Sequence, residues 1–316
     1  MVGNGIKVPL QRKKVCVIGA GMAGLASARE LQREGHNVTV LEQRGDVGGQ
    51  WLYNARVDGT DPLGAAEPVK VHSSLYASLR LISARETMGF TDFPLAPKPK
   101  DGRDSRCFPG HREVYLYLKD FCDAFGLMEL VRLNTSVVLG AGSDSDAEVD
   151  GEPRLPSIKG MQVWRGRQMH SHSYRVPEQF RDEVVVVVGC GLNGMDIAME
   201  VRVVAKEVHL VAKSMEEVTQ GLAKVLAKHS NLHLQLHYMN EFGGKYCDFP
   251  GVEKWRQELL MSTLANMLDN LETFRDDYQD GDSIRKGVEE WHLSAPQAQA
   301  ASTTKKQSLG LLEQAQ

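Results

Sequence analysis

Residues 14–24 read KVCVIGAGMAG, and residues 183–194 run the same way as EVVVVVGCGLNG. In each, a short Val/Ile-rich run meets a GxGxxG turn: Gly19, Gly21 and Gly24 in the first, Gly189, Gly191 and Gly194 in the second. Helical spacing follows from Leu25 to about Gly35 and from about Met195 to Ala205. A second β-type run then closes each segment, Asn37–Leu41 and Glu207–Val211. Strand, glycine turn, helix, strand is a βαβ unit, and continuous Val/Ile runs beside a helix predict parallel strands covered on both faces. The unit occurs twice, Gly19 to Gly189 being 170 residues. The expected fold class is therefore α/β, with two Rossmann-like dinucleotide-binding units and a C-terminal helix.

Such a turn has a chemical use. A pyrophosphate needs backbone N–H donors at a helix N-terminus, and side chains obstruct the approach. The first glycine permits the tight turn, the second the close approach of backbone to phosphate, and the third the packing of helix on strand. The first candidate site is Gly19, Ala20, Gly21, Met22, Ala23 and Gly24, with Glu42 eighteen residues past Gly24 at the end of the second strand. That carboxylate accepts hydrogen bonds from a ribose 2′-OH and repels a 2′-phosphate, so this turn fits FAD or NAD. Just beyond, Gly48-Gly49-Gln50-Trp51 allows backbone to lie close to a cofactor, with Trp51 either covering a flat ring or filling a core. The second candidate site is Gly189, Cys190, Gly191, Leu192, Asn193 and Gly194. At the same eighteen-residue offset it has Ala212 followed by Lys213, a loss of acid and gain of cation that favours NADP. A solvated strand-end lysine is the alternative reading of Lys213. Two different nucleotides imply hydride flow from nicotinamide to flavin.

The rest of the 316-residue chain narrows the function classes. With 42% hydrophobic and 25% charged residues the composition is globular, and a formal net charge of −4 without a basic block argues against nucleic acid. The longest apolar run, Val184–Val188, is far short of a membrane span, and residues 1–14 lack a secretory apolar core. The expectation is a cytoplasmic protein with no membrane span. Five scattered cysteines form no framework, and Cys16 and Cys122 read as small buried hydrophobes, with Cys190 packed in its turn. His170/His172 on an extended segment and His233/His237 on an alternating strand lack further ligands, so no metal site is expected. His111–Phe125 reads as an amphipathic helix, 130–139 as a strand pair or extended segment, 140–151 as an acidic surface loop or linker, 216–228 as a helix, 232–237 as a strand and 252–274 as a helix. The acidic run 276–282 reads as a solvated loop. The expected domains are residues 1–152 for FAD, 153–245 for NADP, a helical extension over 246–292 and a disordered tail over 293–316.

A family resemblance adds to this. Trp164, Gly166, His170 and Tyr174 resemble the FxGxxxHxxxY motif of flavin-containing monooxygenases, set just before the second glycine turn as in that family. The stretches 71–80, 86–94, 108–113 and 153–156 are also similar, and Leu271–Asp276 resembles the plant branch that S-oxygenates glucosinolates. The resemblance implies FAD at the first turn and NADP at the second. It implies that NADPH supplies the hydride, that O2 is the oxidant and that a small sulfur or nitrogen nucleophile accepts oxygen, a methylthioalkyl glucosinolate becoming its sulfoxide. It singles out no side chain as a catalytic acid or base.

This chain departs from the family at three places. Leu81-Ile82 stand where the family carries Thr-Asn, and isoleucine has no hydrogen-bonding group for an oxygenated flavin. The family's stretch ending in Ala-Thr-Gly is reduced to Ser143–Glu152. After Leu236 the chain passes almost directly to Tyr246–Phe249, which resembles the far C-terminal extension. Missing strands imply incomplete sheets with uncovered faces and weak FAD affinity. A catalytically inactive, shortened nucleotide-binding remnant is therefore the second reading.

Overall fold

The computed structural model describes residues 11–57, 61–63, 73–98, 102–137, 155–212 and 251–293. Lys213, Cys247, the 140–151 linker, the 216–228 helix, the 232–237 strand with His233 and His237, and the tail from 294 lie outside the described residues. The chain divides into two units, one of Met1–Ala77 with His111–Arg175, the other of Ser78–Gly110 with Val176–Gln316.

In the first unit, β1 (Lys14–Ile18), α1 (Met22–Arg33) and β2 (Asn37–Leu41) form the expected βαβ element. β1 and β2 are parallel and in register from Lys14↔Asn37 to Ile18↔Leu41. α2 (His111–Phe125) follows, and the two-residue β3 (Val131–Arg132) adds to the free side of β2. Of the strand pair or extended segment expected over 130–139, the described residues up to 137 form strand only at β3, because residues 127–130 form a 3-10 turn and Asn134 turns left-handed at φ 54°. The core comes from the apolar stripes of the two helices: Leu25 and Ala28 of α1, and Val114, Leu118, Phe121 and Cys122 of α2, are fully buried. Phe121 packs on Phe125 at 4.9 Å, and the Arg29 guanidinium lies 5.2 Å from the Phe121 centroid.

The second unit repeats the element as β4 (Val184–Val188), α3 (Leu192–Val201) and β5 (Glu207–Val211), again parallel and in register. Beside it stand α4 (Lys254–Asp269), the one-turn α5 (Phe274–Asp277) and a helix α6 over 282–293. The single helix expected over 252–274 stops at Asn270, whose Oδ1 accepts the Thr273 N–H at 3.3 Å and so competes with the helical backbone. Their core joins Ala84, Phe108, Leu259, Met267, Phe274 and Ile284, with Phe108 edge-on to Phe274 at 5.6 Å. The fully buried Arg85 closes the loop before it, donating to the carbonyls of Arg106, Leu95 and Asp104.

Two expectations fail here. The valine runs are covered on one face only: Val17 and Val187 point toward their helices, whereas Ile18 is 68% exposed and Val184, Val186 and Val188 are 55%, 49% and 54% exposed. Cys16 shares the outer face of β1 and is exposed, not buried, while Cys122 is buried as expected. Alternation along a strand sends neighbours to opposite faces, and one helix covers one face.

Candidate functional site

Both glycine turns adopt one backbone geometry. Gly19 and Gly189 have φ of +91° and +108°, values that disfavour any Cβ. The N–H of each donates to the last residue of the neighbouring strand, Gly19 to Leu41 at 2.8 Å and Gly189 to Val211 at 2.9 Å. A Cβ on Gly24 would overlap the carbonyl oxygen of Gly19, and one on Gly194 that of Gly189. Gly21 and Gly191 are the N-caps of α1 and α3, and neither helix has a side-chain cap or an acid in its first turn. The first-turn N–H groups of both helices thus have no capping side chain, which is the arrangement a diphosphate needs. The residues present fit a dinucleotide at both turns.

The first turn is the more elaborate. Glu42 is 5% exposed; its Oε2 accepts the Ala20 N–H at 2.7 Å and its Oε1 the Arg44 N–H at 2.9 Å. One bond to each oxygen leaves further lone pairs for ribose hydroxyls. The 45–51 loop docks on the turn itself. Gly48 N–H donates to Ala20 O at 2.9 Å, and a Cβ on Gly49 would lie 2.8 Å from Gly21 Cα, so position 49 has to be glycine at this crossing. Gly49, Gln50 and Trp51 form a short 3-10 turn, with Gln50 exposed and Trp51 half-buried. Met22 is half-buried and Ala23 exposed at the start of α1.

Four residues that sequence reading passed over hold this loop. Arg44 Nη1 donates to Gly49 O at 3.0 Å. Asp46 accepts from Lys119 Nζ at 2.8 Å and Tyr115 Oη at 2.7 Å. Burial raises the Asp46 pKa, but the bonds from Lys119, Tyr115 and the Val47 N–H outweigh it and hold the carboxyl below its usual range. Tyr115 and Lys119 are four apart on α2, so they share a helix face; only the fold brings Asp46 to that face.

At the second turn no described residue lies within 4 Å of a Cβ built on Gly191, Asn193 is exposed and Cys190 half-buried. Leu192 opens α3. Buried Glu42 follows β2, and half-buried Ala212 follows β5. The segment around His170 is not extended: Ser171–Ser173 form a 3-10 turn, and His170 Nδ1 accepts the His172 N–H at 3.1 Å, a local cap. Tyr174 is buried edge-on against Tyr76 at 5.4 Å, while Trp164 is 61% exposed and Ile82 40% exposed. Among the described residues no helix is long and apolar enough to cross a membrane.

The sequence profile of the flavin-binding monooxygenase-like family matches residues 12–152 and 147–225. The chain is 52% identical over 267 residues to flavin-containing monooxygenase FMO GS-OX-like 8 of Arabidopsis thaliana, covering 74% of this chain and 57% of that protein. It is 49% identical to GS-OX-like 9 of the same plant, over 73% and 57% respectively. The chain thus spans little more than half the length of these relatives. In structure it is similar to S-allyl-L-cysteine S-oxygenase from Allium sativum, with a TM-score of 0.73 and 24% identity over 89% of this chain and 98% of that one.

Proposed function

Because the chain belongs to the flavin-binding monooxygenase-like family, whose cofactors are FAD and NADP, we propose that it uses NADPH and O2 to S-oxygenate a thioether. The balance is one NADPH, one proton, one O2 and one thioether giving NADP+, water and one sulfoxide. The first turn with Glu42, Gly49, Gln50 and Trp51 is the proposed FAD site, and the second turn with Lys213 the proposed NADP site. The observation that carries the reading is the pair of identical backbone turns with unlike strand ends. Glu42 after β2 suits unmodified ribose hydroxyls, and Ala212 after β5 sets no carboxylate against a 2′-phosphate.

When bound, the flavin supplies hydride acceptance and oxygen activation. The chain's own part is to bind and orient. The α1 and α3 N-termini hold diphosphates, Asp46 with Tyr115 and Lys119 holds the 45–51 loop against the first turn, and the Gly21–Gly49 crossing keeps side chains out. The resemblance of Leu271–Asp276 to the branch that S-oxygenates glucosinolates, beside relatives named GS-OX-like, supports a methylthioalkyl glucosinolate as the proposed substrate.

A second reading, nucleotide binding without oxygenation, is favoured by Ile82, which offers no hydrogen bond, and by the uncovered valine face of β4. One experiment separates them. The purified chain is loaded with FAD and mixed with NADPH, O2 and a thioether. One sulfoxide per NADPH supports the enzyme. NADPH consumption yielding only hydrogen peroxide, restored toward sulfoxide by Ile82→Asn, supports a damaged enzyme. Failure of NADPH to bleach bound FAD supports the second reading.

A further inference from the structure

Three residues on or just past α3 meet side chains from outside the βαβ element. Asp196 Oδ1 accepts from Arg275 Nη1 at 2.8 Å, Glu200 bonds the Ser78 hydroxyl, and Arg202 pairs with Glu272. They differ in weight. The Arg202 and Glu272 side chains are 54% and 53% exposed, where water screens a pair to near nothing, but those of Arg275 and Asp196 are 15% and 22% exposed. Arg275 is also held in place from its own side. Its Nε donates to Leu81 O at 3.2 Å, and its guanidinium lies 5.1 Å from the ring of Phe274, a residue of the unit's core. The adjacent Asp276 pairs with Arg80 at 2.8 Å, and Arg80 Nε donates to Phe108 O at 3.0 Å.

Asp196 stands five residues past Gly191, the N-cap of the helix that opens the second turn. At 1.5 Å per residue its Cα lies roughly 8 Å along the axis from the anion-binding end, within about one Debye length. A carboxylate there opposes an incoming diphosphate, and a guanidinium bonded to it cancels the opposition. We infer that Arg275 is a positioning residue for the second glycine turn, fastening α3 to the C-terminal segment and neutralising Asp196 so that the turn accepts a dinucleotide. This rests on the reading of the second turn as the NADP site.

The test uses the full chain. NADP+ affinity is measured by calorimetry, and amide exchange over 192–201 is followed without ligand, for wild type, Arg275→Gln, Arg275→Lys, Asp196→Asn and the Arg275→Gln/Asp196→Asn pair. Arg275→Gln is expected to weaken NADP+ roughly tenfold and the double variant to recover most of it, as a charge effect requires. Arg275→Lys stays near wild type, and FAD retention is unchanged throughout. Arg275→Gln binding like wild type, or a double variant no better than Arg275→Gln, overturns the inference. If the wild type takes no NADP+, the reading of the second turn falls and the charge part of the inference with it, and exchange decides whether Arg275 fastens α3. Faster exchange in Arg275→Gln, restored in Arg275→Lys, supports the inference, and unchanged exchange overturns it. Should Arg275→Gln not fold, Asp196→Asn decides: NADP+ bound at least as tightly as by wild type supports it, and weaker binding overturns it.

Discussion

Glu86 carries the sharpest stability prediction. It is 8% exposed, follows the buried Arg85, and its Oε2 lies 3.9 Å from Cys107 Sγ. Burial, reinforced by Asp280 and opposed by its backbone hydrogen bond, Arg85 and Arg256, pushes its pKa from 4.5 to about 7. A carboxyl whose folded pKa is raised contributes stability that is fully present below its unfolded pKa and lost as pH rises through the folded one. At 1.36 kcal/mol per unit the whole loss is roughly 3 kcal/mol, of which about 2 kcal/mol falls between pH 5.5 and 8. Glu86→Gln keeps the shape and removes the titration. Urea unfolding is followed through Trp255 and Trp291, with Trp51 and Trp164 changed to Phe so that only the second unit reports. The parent should lose about 2 kcal/mol more than the variant between pH 5.5 and 8, and the variant should be the more stable at pH 8. Equal pH slopes would refute the argument.

Gly24→Ala should abolish FAD retention and spare NADP+ binding, and Gly194→Ala the reverse, because each Cβ overlaps a carbonyl of its own turn; flavin absorbance and NADP+ calorimetry on both variants check this. Asp46→Asn should weaken FAD retention and cost at most about 1 kcal/mol, since the pair it breaks is partly solvated. The lowered Asp46 pKa means that its contribution is present at neutral pH and lost as the pH falls, which acid titration of wild type against variant would show. Phe121→Ala empties a fully buried site between α1 and α2 and should cost about 3–5 kcal/mol in urea unfolding.

Much of the nucleotide-binding architecture was legible in the residues. GxGxxG after a valine run marks a turn whose first glycine needs positive φ and whose third lies against the first; Gly19 with Gly24, and Gly189 with Gly194, meet both conditions. The i, i+3, i+4 spacing of α2 placed Val114, Leu118 and Phe121 on one buried face. Glycines and periodicity are local signals, set by backbone sterics within a few residues.

What local signals leave open is who meets whom across the chain. Nothing near Asp46 announces Tyr115 and Lys119, and nothing near Asp196 announces Arg275, because an ion pair at a separation of tens of residues has no period. The exposure of Cys16 and Val186 was misread for the same reason. A β-branched run states that a strand forms; only the layers packed around it decide whether both of its faces are dry. Sequence alone thus determined the two turns, their strands and their helices. The tertiary structure decided the supports behind them, since those depend on distant side chains arriving at one place.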